Sequence, residues 1–150
     1  MNRKWTVLAA AMLSTALLVS GIAVAQDDDK ELTPLGKVME EVQTNHVKIL
    51  KSYRTAVSWT KGQQDAAEAA GKIIELGKKA RPLGGPAIKE MKKTQEQWDE
   101  KMDTFLKEAE AFSKFAGQAG IKNAEAKKAY SKVSASCTSC HNDFRSEDDE

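Results

Sequence analysis

The 150-residue sequence has few of the residues that staple or interrupt a fold. It contains two cysteines, two histidines and three prolines. A disulfide between the two cysteines would close a very small loop and remove little unfolded-state entropy, so a disulfide framework is excluded. No stretch shows the period-two alternation of a half-buried strand. An excess of charge of one sign is also lacking, with 23 Lys+Arg against 22 Asp+Glu. Composition therefore gives no reason to expect binding to nucleic acid or to a membrane surface.

The N-terminus has the features of a secretory signal peptide. A basic start at Asn2–Lys4 precedes an apolar run from Val7 to Val24 that closes on Ala23-Val24-Ala25, and the polar segment Gln26–Lys30 follows at once. We expect residues 1–25 to be cleaved after Ala25, which in a bacterium means export to the periplasm. The alternative is a retained membrane anchor, because the run approaches spanning length. The small-residue exit and the acidic cluster favour cleavage, and no later segment is apolar enough to insert stably in a membrane.

The remaining residues, 26–150, predict one all-α domain, an antiparallel up-down-up-down four-helix bundle. Apolar residues recur at spacings of three and four, as on one face of a helix. The first helix is predicted from Thr33-Pro34 to about Trp59, with Gly62 as its stop, and the second over roughly Gln64–Lys79. A loop at Arg81–Pro86, a third helix over Ile88–Ala116, a break at Gly117–Gly120 and a last helix from about Asn123 complete the pattern. The acidic ends, Gln26–Glu31 and Glu147–Glu150, are predicted to be disordered. Short connections between such helices favour antiparallel neighbours.

Both cysteines belong to the segment Cys137-Thr138-Ser139-Cys140-His141, a C-x-x-C-H motif near the C-terminus. Residues three apart lie on one face of a helix, so Cys137 and Cys140 should continue the apolar stripe of Ala126, Tyr130 and Val133. His141 follows about 100° further around and is expected to face the interior as well. Two thioether bonds to a porphyrin, with the imidazole as an iron ligand, would use every residue of the motif.

Two other chemistries use the motif less completely. A redox dithiol usually lies at a helix N-terminus in a βαβ setting, where the helix dipole lowers a thiol pKa; here the pair lies late in the last helix. A zinc site would need a fourth ligand such as His46 beside three ligands crowded on about one turn. A thiol–disulfide oxidoreductase therefore stays a remote alternative, and zinc a weaker one.

The segment from Cys137 to Arg145 resembles the C-terminal signature of the cytochrome c′ family, in which C-x-x-C-H in the fourth helix is followed by an aromatic and a basic residue. The resemblance implies one covalent haem c, with Cys137 and Cys140 as thioether sites and His141 as proximal iron ligand. It also implies a haem-edge contact for Arg145, for which a helix-end cation favoured by the macrodipole is the alternative.

In that family the first helix presents a residue to the distal side of the haem, and here the candidate is Met39. Leu35 is the candidate for a non-ligating wall, and His46 lies two turns further along the same stripe. Met91 and Met102, in the predicted third helix, are expected in the core. Many members carry Arg-Gln one turn before the distal residue, whereas this sequence has Leu35-Gly36-Lys37-Val38.

A ligating methionine commits the haem to electron transfer, whereas an open distal side allows small gases such as nitric oxide to bind. The first function predicted is therefore a periplasmic electron carrier, with redox proteins as partners. The second is a high-spin protein that binds gases. No acid/base pair or nucleophile constellation accompanies the motif, so an enzyme is not expected. Homodimer formation stays open.

Overall fold

The computed structural model describes residues 32–145, and these residues form helices and no strand. The helices are α1 (Pro34–Ser52), α2 (Ala56–Ala80), α3 (Gly85–Glu90), α4 (Gln95–Ala116) and α5 (Asn123–Phe144), with a turn of 3₁₀ helix at Arg81–Leu83 between α2 and α3. The predicted signal peptide and both predicted acidic ends lie outside the described residues.

The four long helices form the predicted bundle. Consecutive long helices pack closely, α1 against α2, α2 against α4 and α4 against α5. The all-α four-helix architecture expected from the periodicity is therefore confirmed. No helix of the described range is long and apolar enough to cross a bilayer.

The core consists of the faces that the three- and four-residue spacing marks. In α4 four of the six buried side chains are large, whereas in α2 most of the buried side chains are small, which lets its neighbours approach. Within residues 32–145 the buried hydrophobic residues are Ile49 of α1; Trp59, Ala66, Ala69, Ala70, Ile73, Leu76 and Ala80 of α2; Trp98, Met102, Phe105, Ala109, Phe112 and Ala116 of α4; and Ala126, Tyr130, Val133 and Phe144 of α5.

The predicted boundary between the first two helices was wrong. Helix α1 ends at Ser52, and α2 begins at Ala56. A capping box starts α2: Thr55 Oγ1 accepts the Ser58 N–H at 3.0 Å, and Ser58 Oγ accepts the Thr55 N–H at 2.9 Å. Such reciprocal bonds satisfy helix-start donors that otherwise lack partners. Gly62 stops nothing; it lies inside α2, where a Cβ would come within 3.1 Å of Ser52 Oγ, so its lack of a side chain permits the close α1–α2 packing.

The predicted third helix is two helices. Its first part is the short α3, and the chain breaks over Met91–Thr94, where Lys92 has a φ of 52°. A second capping box restarts it as α4, with Thr94 Oγ1 accepting the Gln97 N–H at 3.2 Å and Gln97 Oε1 accepting the Thr94 N–H at 2.9 Å. The predicted loop at Arg81–Pro86 is likewise mostly helical. The break could not be predicted from the apolar spacing, because that spacing continues through Met91–Thr94 without interruption.

Candidate functional site

The candidate site lies along the seam between α1 and α5, the first and last helices of the bundle. Close backbone contact is extensive between the other neighbouring long helices and nearly absent between these two. The side chains that join them are His46 of α1 and Tyr130 of α5, whose Nδ1 and hydroxyl oxygen lie 2.8 Å apart. This hydrogen bond fixes the register of one helix against the other.

Around this bond the seam is closed by aromatic contacts. The ring of Tyr130 meets Phe112 edge-on with centroids 4.7 Å apart, and it meets the ring of Tyr53 at 5.9 Å. Ile49 and Tyr130 are buried, at 0% and 1% exposure. We call His46, Ile49, Tyr53, Phe112 and Tyr130 the closed end of the seam.

The other end of the seam carries the cysteines. Met39 lies seven residues before His46, and Cys137 lies seven residues after Tyr130, so each is displaced about 10 Å from the hydrogen bond, at 1.5 Å per residue. Because the helices are antiparallel, the displacements point the same way and Met39 is level with Cys137. All the apolar side chains here are only half-buried. We call this set the open end: Leu35, Val38, Met39 and Val42 of α1, with Cys137 and Cys140 of α5.

The two cysteines share one face of α5, as their spacing predicted. Both thiols are free and half-buried against the core. Burial raises the pKa of Cys137, and burial together with the neighbouring Cys137 raises the pKa of Cys140 to about 11. Both are therefore neutral thiols at neutral pH. A redox dithiol needs a thiolate with a lowered pKa, so the environment opposes that alternative.

His141 is an exposed residue whose ring is still partly covered by protein, so the expectation that it faces the interior as the cysteines do is wrong. One residue past Cys140 corresponds to about 100° of rotation, which is enough here to carry the ring from the seam to the surface. Partial burial, and then the positive charge of Arg145, lower the pKa of His141. The neutral imidazole is the form that ligates a metal.

Arg145 ends α5. Its backbone N–H donates to the His141 carbonyl at 3.0 Å, and its own backbone is extended. It thus stands beside His141, where both interpretations of its charge, a haem-edge contact and a helix-end cation, remain predictions.

Two lysines bind the motif's own turn of α5, a feature that sequence reasoning missed. Lys101 of α4 donates to Ser139 Oγ at 2.7 Å and pairs with Asp143 Oδ2 at 2.7 Å. Lys93 pairs with the other oxygen of Asp143, Oδ1, at 3.0 Å. The two lysines hold the pKa of Asp143 below its usual value. Only the spacing of Ser139 and Asp143, four residues apart on one face, could have indicated a common partner.

The remaining ligand candidates are placed as follows. His46 is hydrogen-bonded to Tyr130 in the closed end. Met102 is buried in the core, as expected, and Met91 is half-buried in the segment between α3 and α4. Within residues 32–145 no three His, Cys, Asp or Glu side chains converge as a metal-binding group, so His46 does not complete a zinc site with the motif.

A comparison with protein families identifies the family of this chain. The family model described as Cytochrome C′ matches residues 32–145. The chain belongs to the cytochrome c′ family. Neither the curated proteins nor the solved structures give a significant match. Membership agrees with the bundle, since cytochrome c′ is itself a standard example of the up-down-up-down topology. It implies a c-type cytochrome with covalently bound haem c.

The open end fits such a haem. Two neutral thiols one helical turn apart would supply the two thioether positions, and the adjacent imidazole would supply an uncharged nitrogen donor. Opposite the thiols, Leu35, Val38 and Val42 offer half-buried apolar side chains, which suit a flat apolar macrocycle. The donor set and the apolar wall thus agree with what membership in the cytochrome c′ family implies.

Proposed function

We propose that this member of the cytochrome c′ family is a periplasmic electron carrier with one haem c bound to Cys137 and Cys140. His141 is the proximal iron ligand. The observation that carries the proposal is the pair of neutral, half-buried thiols on one face of α5, beside a helix neighbour with which backbone contact is nearly absent. When bound, the haem supplies one-electron redox chemistry or a position for a small gas.

The residues of the chain have distinct tasks in this proposal. Cys137 and Cys140 anchor the porphyrin to α5, and His141 holds the iron from the same turn. Apolar side chains of α1 exclude water from the opposite side. The closed end holds α1 and α5 in register through the 2.8 Å contact of His46 with Tyr130. Redox proteins are the expected partners, and the reaction needs no acid or base from the chain.

The first test is covalent attachment. Protein expressed in cells competent for haem attachment should keep its colour on the polypeptide after acid–acetone extraction. Cys137→Ala/Cys140→Ala should lose that colour completely, whereas Thr138→Ala, an exposed residue between the two cysteines, should keep it. Freely extractable haem, or none, in the native protein would overturn the proposal.

Met39 decides between electron transfer and the second candidate, gas binding. On the open end Met39 carries a thioether that can ligate iron, whereas Leu35, Val38 and Val42 cannot ligate. His46 is about 10 Å further along α1, at 1.5 Å per residue, and is already hydrogen-bonded. No second side chain of this part of α1 is therefore available as a distal ligand.

We expect Met39 to ligate the iron, giving a low-spin spectrum, a weak sulfur-to-iron band in the far red and slow binding of carbon monoxide. Met39→Ala should then become high-spin and bind carbon monoxide rapidly. Leu35→Ala is the matched control and should stay low-spin. A native protein that is already high-spin, with Met39→Ala unchanged, would favour the gas-binding function instead.

A further inference from the structure

Lys101 bridges two positions of the turn that carries Cys140 and His141. Its ammonium group donates to Ser139 Oγ at 2.7 Å and pairs with Asp143 Oδ2 at 2.7 Å. Ser139 and Asp143 are four residues apart and so lie on one face of α5, with the motif's second half between them in sequence. The side chains of Lys101 and Asp143 are about two-thirds buried, at 27% and 33% exposure.

We propose that Lys101 is a positioning residue for the haem site, acting through Ser139 and Asp143 to fix the rotation of α5 that aims His141. This inference rests on the proposed attachment of haem at Cys137 and Cys140. A single ammonium group that holds two residues one turn apart restrains the helix against turning about its own axis. Charge-assisted hydrogen bonds of this kind are stronger than neutral ones.

Other contacts at the end of α5 do not involve Lys101. Phe144 is buried, and its ring meets Trp98 edge-on with centroids 5.2 Å apart. Lys93 gives Asp143 a second partner at 3.0 Å. These contacts keep the end of α5 against α4 when Lys101 is replaced. What is lost is the bond to Ser139, one residue before Cys140, and the ion pair of Lys101 with Asp143 Oδ2.

The effect of the charge of Lys101 and its positioning effect can be separated by two substitutions that change the net charge in opposite directions. Lys101→Met removes a positive charge, and Asp143→Asn removes a negative one. If charge alone matters, the two variants shift the reduction potential of the haem in opposite directions and leave the coordination geometry uniform. If positioning matters, both broaden the distribution of ligand orientations in the same way.

The experiment measures the ferric electron paramagnetic resonance spectrum and the midpoint potential of covalently loaded protein. We expect broadened g-features in both Lys101→Met and Asp143→Asn. Lys101→Arg should restore the native line shape because it keeps the charge and the two acceptors. Lys107→Met is the matched control, since it removes the same charge from an exposed position of α4, and it should keep the native line shape.

Three outcomes overturn the inference. The first is a native line shape in both Lys101→Met and Asp143→Asn. It shows that Lys101 contributes only its charge, if the reduction potentials shift in opposite directions, or nothing, if they do not shift. If Lys101→Met does not fold, Ser139→Ala, which removes one exposed hydroxyl, provides the same test, and a native line shape there counts against the proposal. Absence of covalent haem from the native protein overturns the proposed function and this inference together, whereas the first two outcomes leave the proposed function intact.

Discussion

The two ends of the seam between α1 and α5 use the same helices and the same apolar spacing, yet they differ in burial and in the residues of α5 that face α1. At the closed end Ile49 and Tyr130 are buried, and a side-chain hydrogen bond joins the helices. At the open end every apolar side chain of α1 is only half-buried, and the facing residues of α5 are cysteines. One helical stripe therefore serves stability in one half and, in the proposed function, haem attachment in the other. Regular apolar spacing predicts which face of a helix points inward. It does not predict how fully that face is buried at each position along the helix.

The largest expected difference between the ends is in stability. Ile49→Ala removes a fully buried side chain and should lower the free energy of unfolding by about 2–5 kcal/mol. It should leave the visible spectrum unchanged. Val42→Ala, two turns away on the same face, should cost roughly 1 kcal/mol, because partial exposure removes less apolar area from water. Urea unfolding followed by circular dichroism provides the measurement, and equal losses in the two variants would contradict the comparison.

A smaller effect is expected from the bond that closes the seam. Tyr130→Phe keeps the ring contacts with Phe112 and Tyr53 but removes the hydroxyl that meets His46. The expected cost is about 1 kcal/mol, since a protein hydrogen bond replaces bonds to water in the unfolded chain. Tyr53→Phe is the control, because Tyr53 contacts Tyr130 through its ring. A loss in Tyr53→Phe as large as in Tyr130→Phe would show that the hydroxyl of Tyr130 has no special part.

The smallest expected effect is a change in pH dependence at the closed end. Burial lowers the pKa of His46, so the folded protein resists a proton that the unfolded chain accepts near pH 6.5. Stability should therefore fall as the pH drops below about 6.5 and level off below the folded pKa. His46→Gln can still meet the Tyr130 hydroxyl but does not titrate. Its unfolding free energy should decline less between about pH 7 and pH 5 than that of the native protein, and parallel declines would rule out His46 as the titrating group.

Much of the fold could be predicted because it depends on apolar spacing. The buried residues of α4 and α5 recur at three and four, and the Thr33-Pro34 start of α1 is a familiar cap, with Thr33 Oγ1 accepting the Gly36 N–H at 3.0 Å. The helix breaks before α2 and α4 could not be found in this way. They depend on capping boxes that use Ser58 and Gln97, whose side chains look like ordinary helical surface in the sequence.

The site was predicted in part for the same reason. Helical phase placed Cys137 and Cys140 together, because a separation of three residues leaves little rotational error. It misplaced His141, since one further residue adds a rotation large enough to reach solvent. The partners of Tyr130 and Lys101 could not be predicted at all. They join residues far apart in the chain, and such pairs depend on the register between helices, which spacing within one helix does not determine.

The order of the helices has a consequence for how the chain folds. Apart from the seam, the extensive contacts join long helices that follow one another in the sequence, and such contacts require only short loops to close. His46 and Tyr130 are 84 residues apart in the sequence, so their hydrogen bond closes a long loop. Proteins dominated by local contacts fold fast, and distant pairings are established last because their loop-closure entropy is the largest. We therefore expect the contact between α1 and α5 to form after the other three helix interfaces. In the proposed function, the haem would then have access to Cys137 and Cys140 before that contact closes.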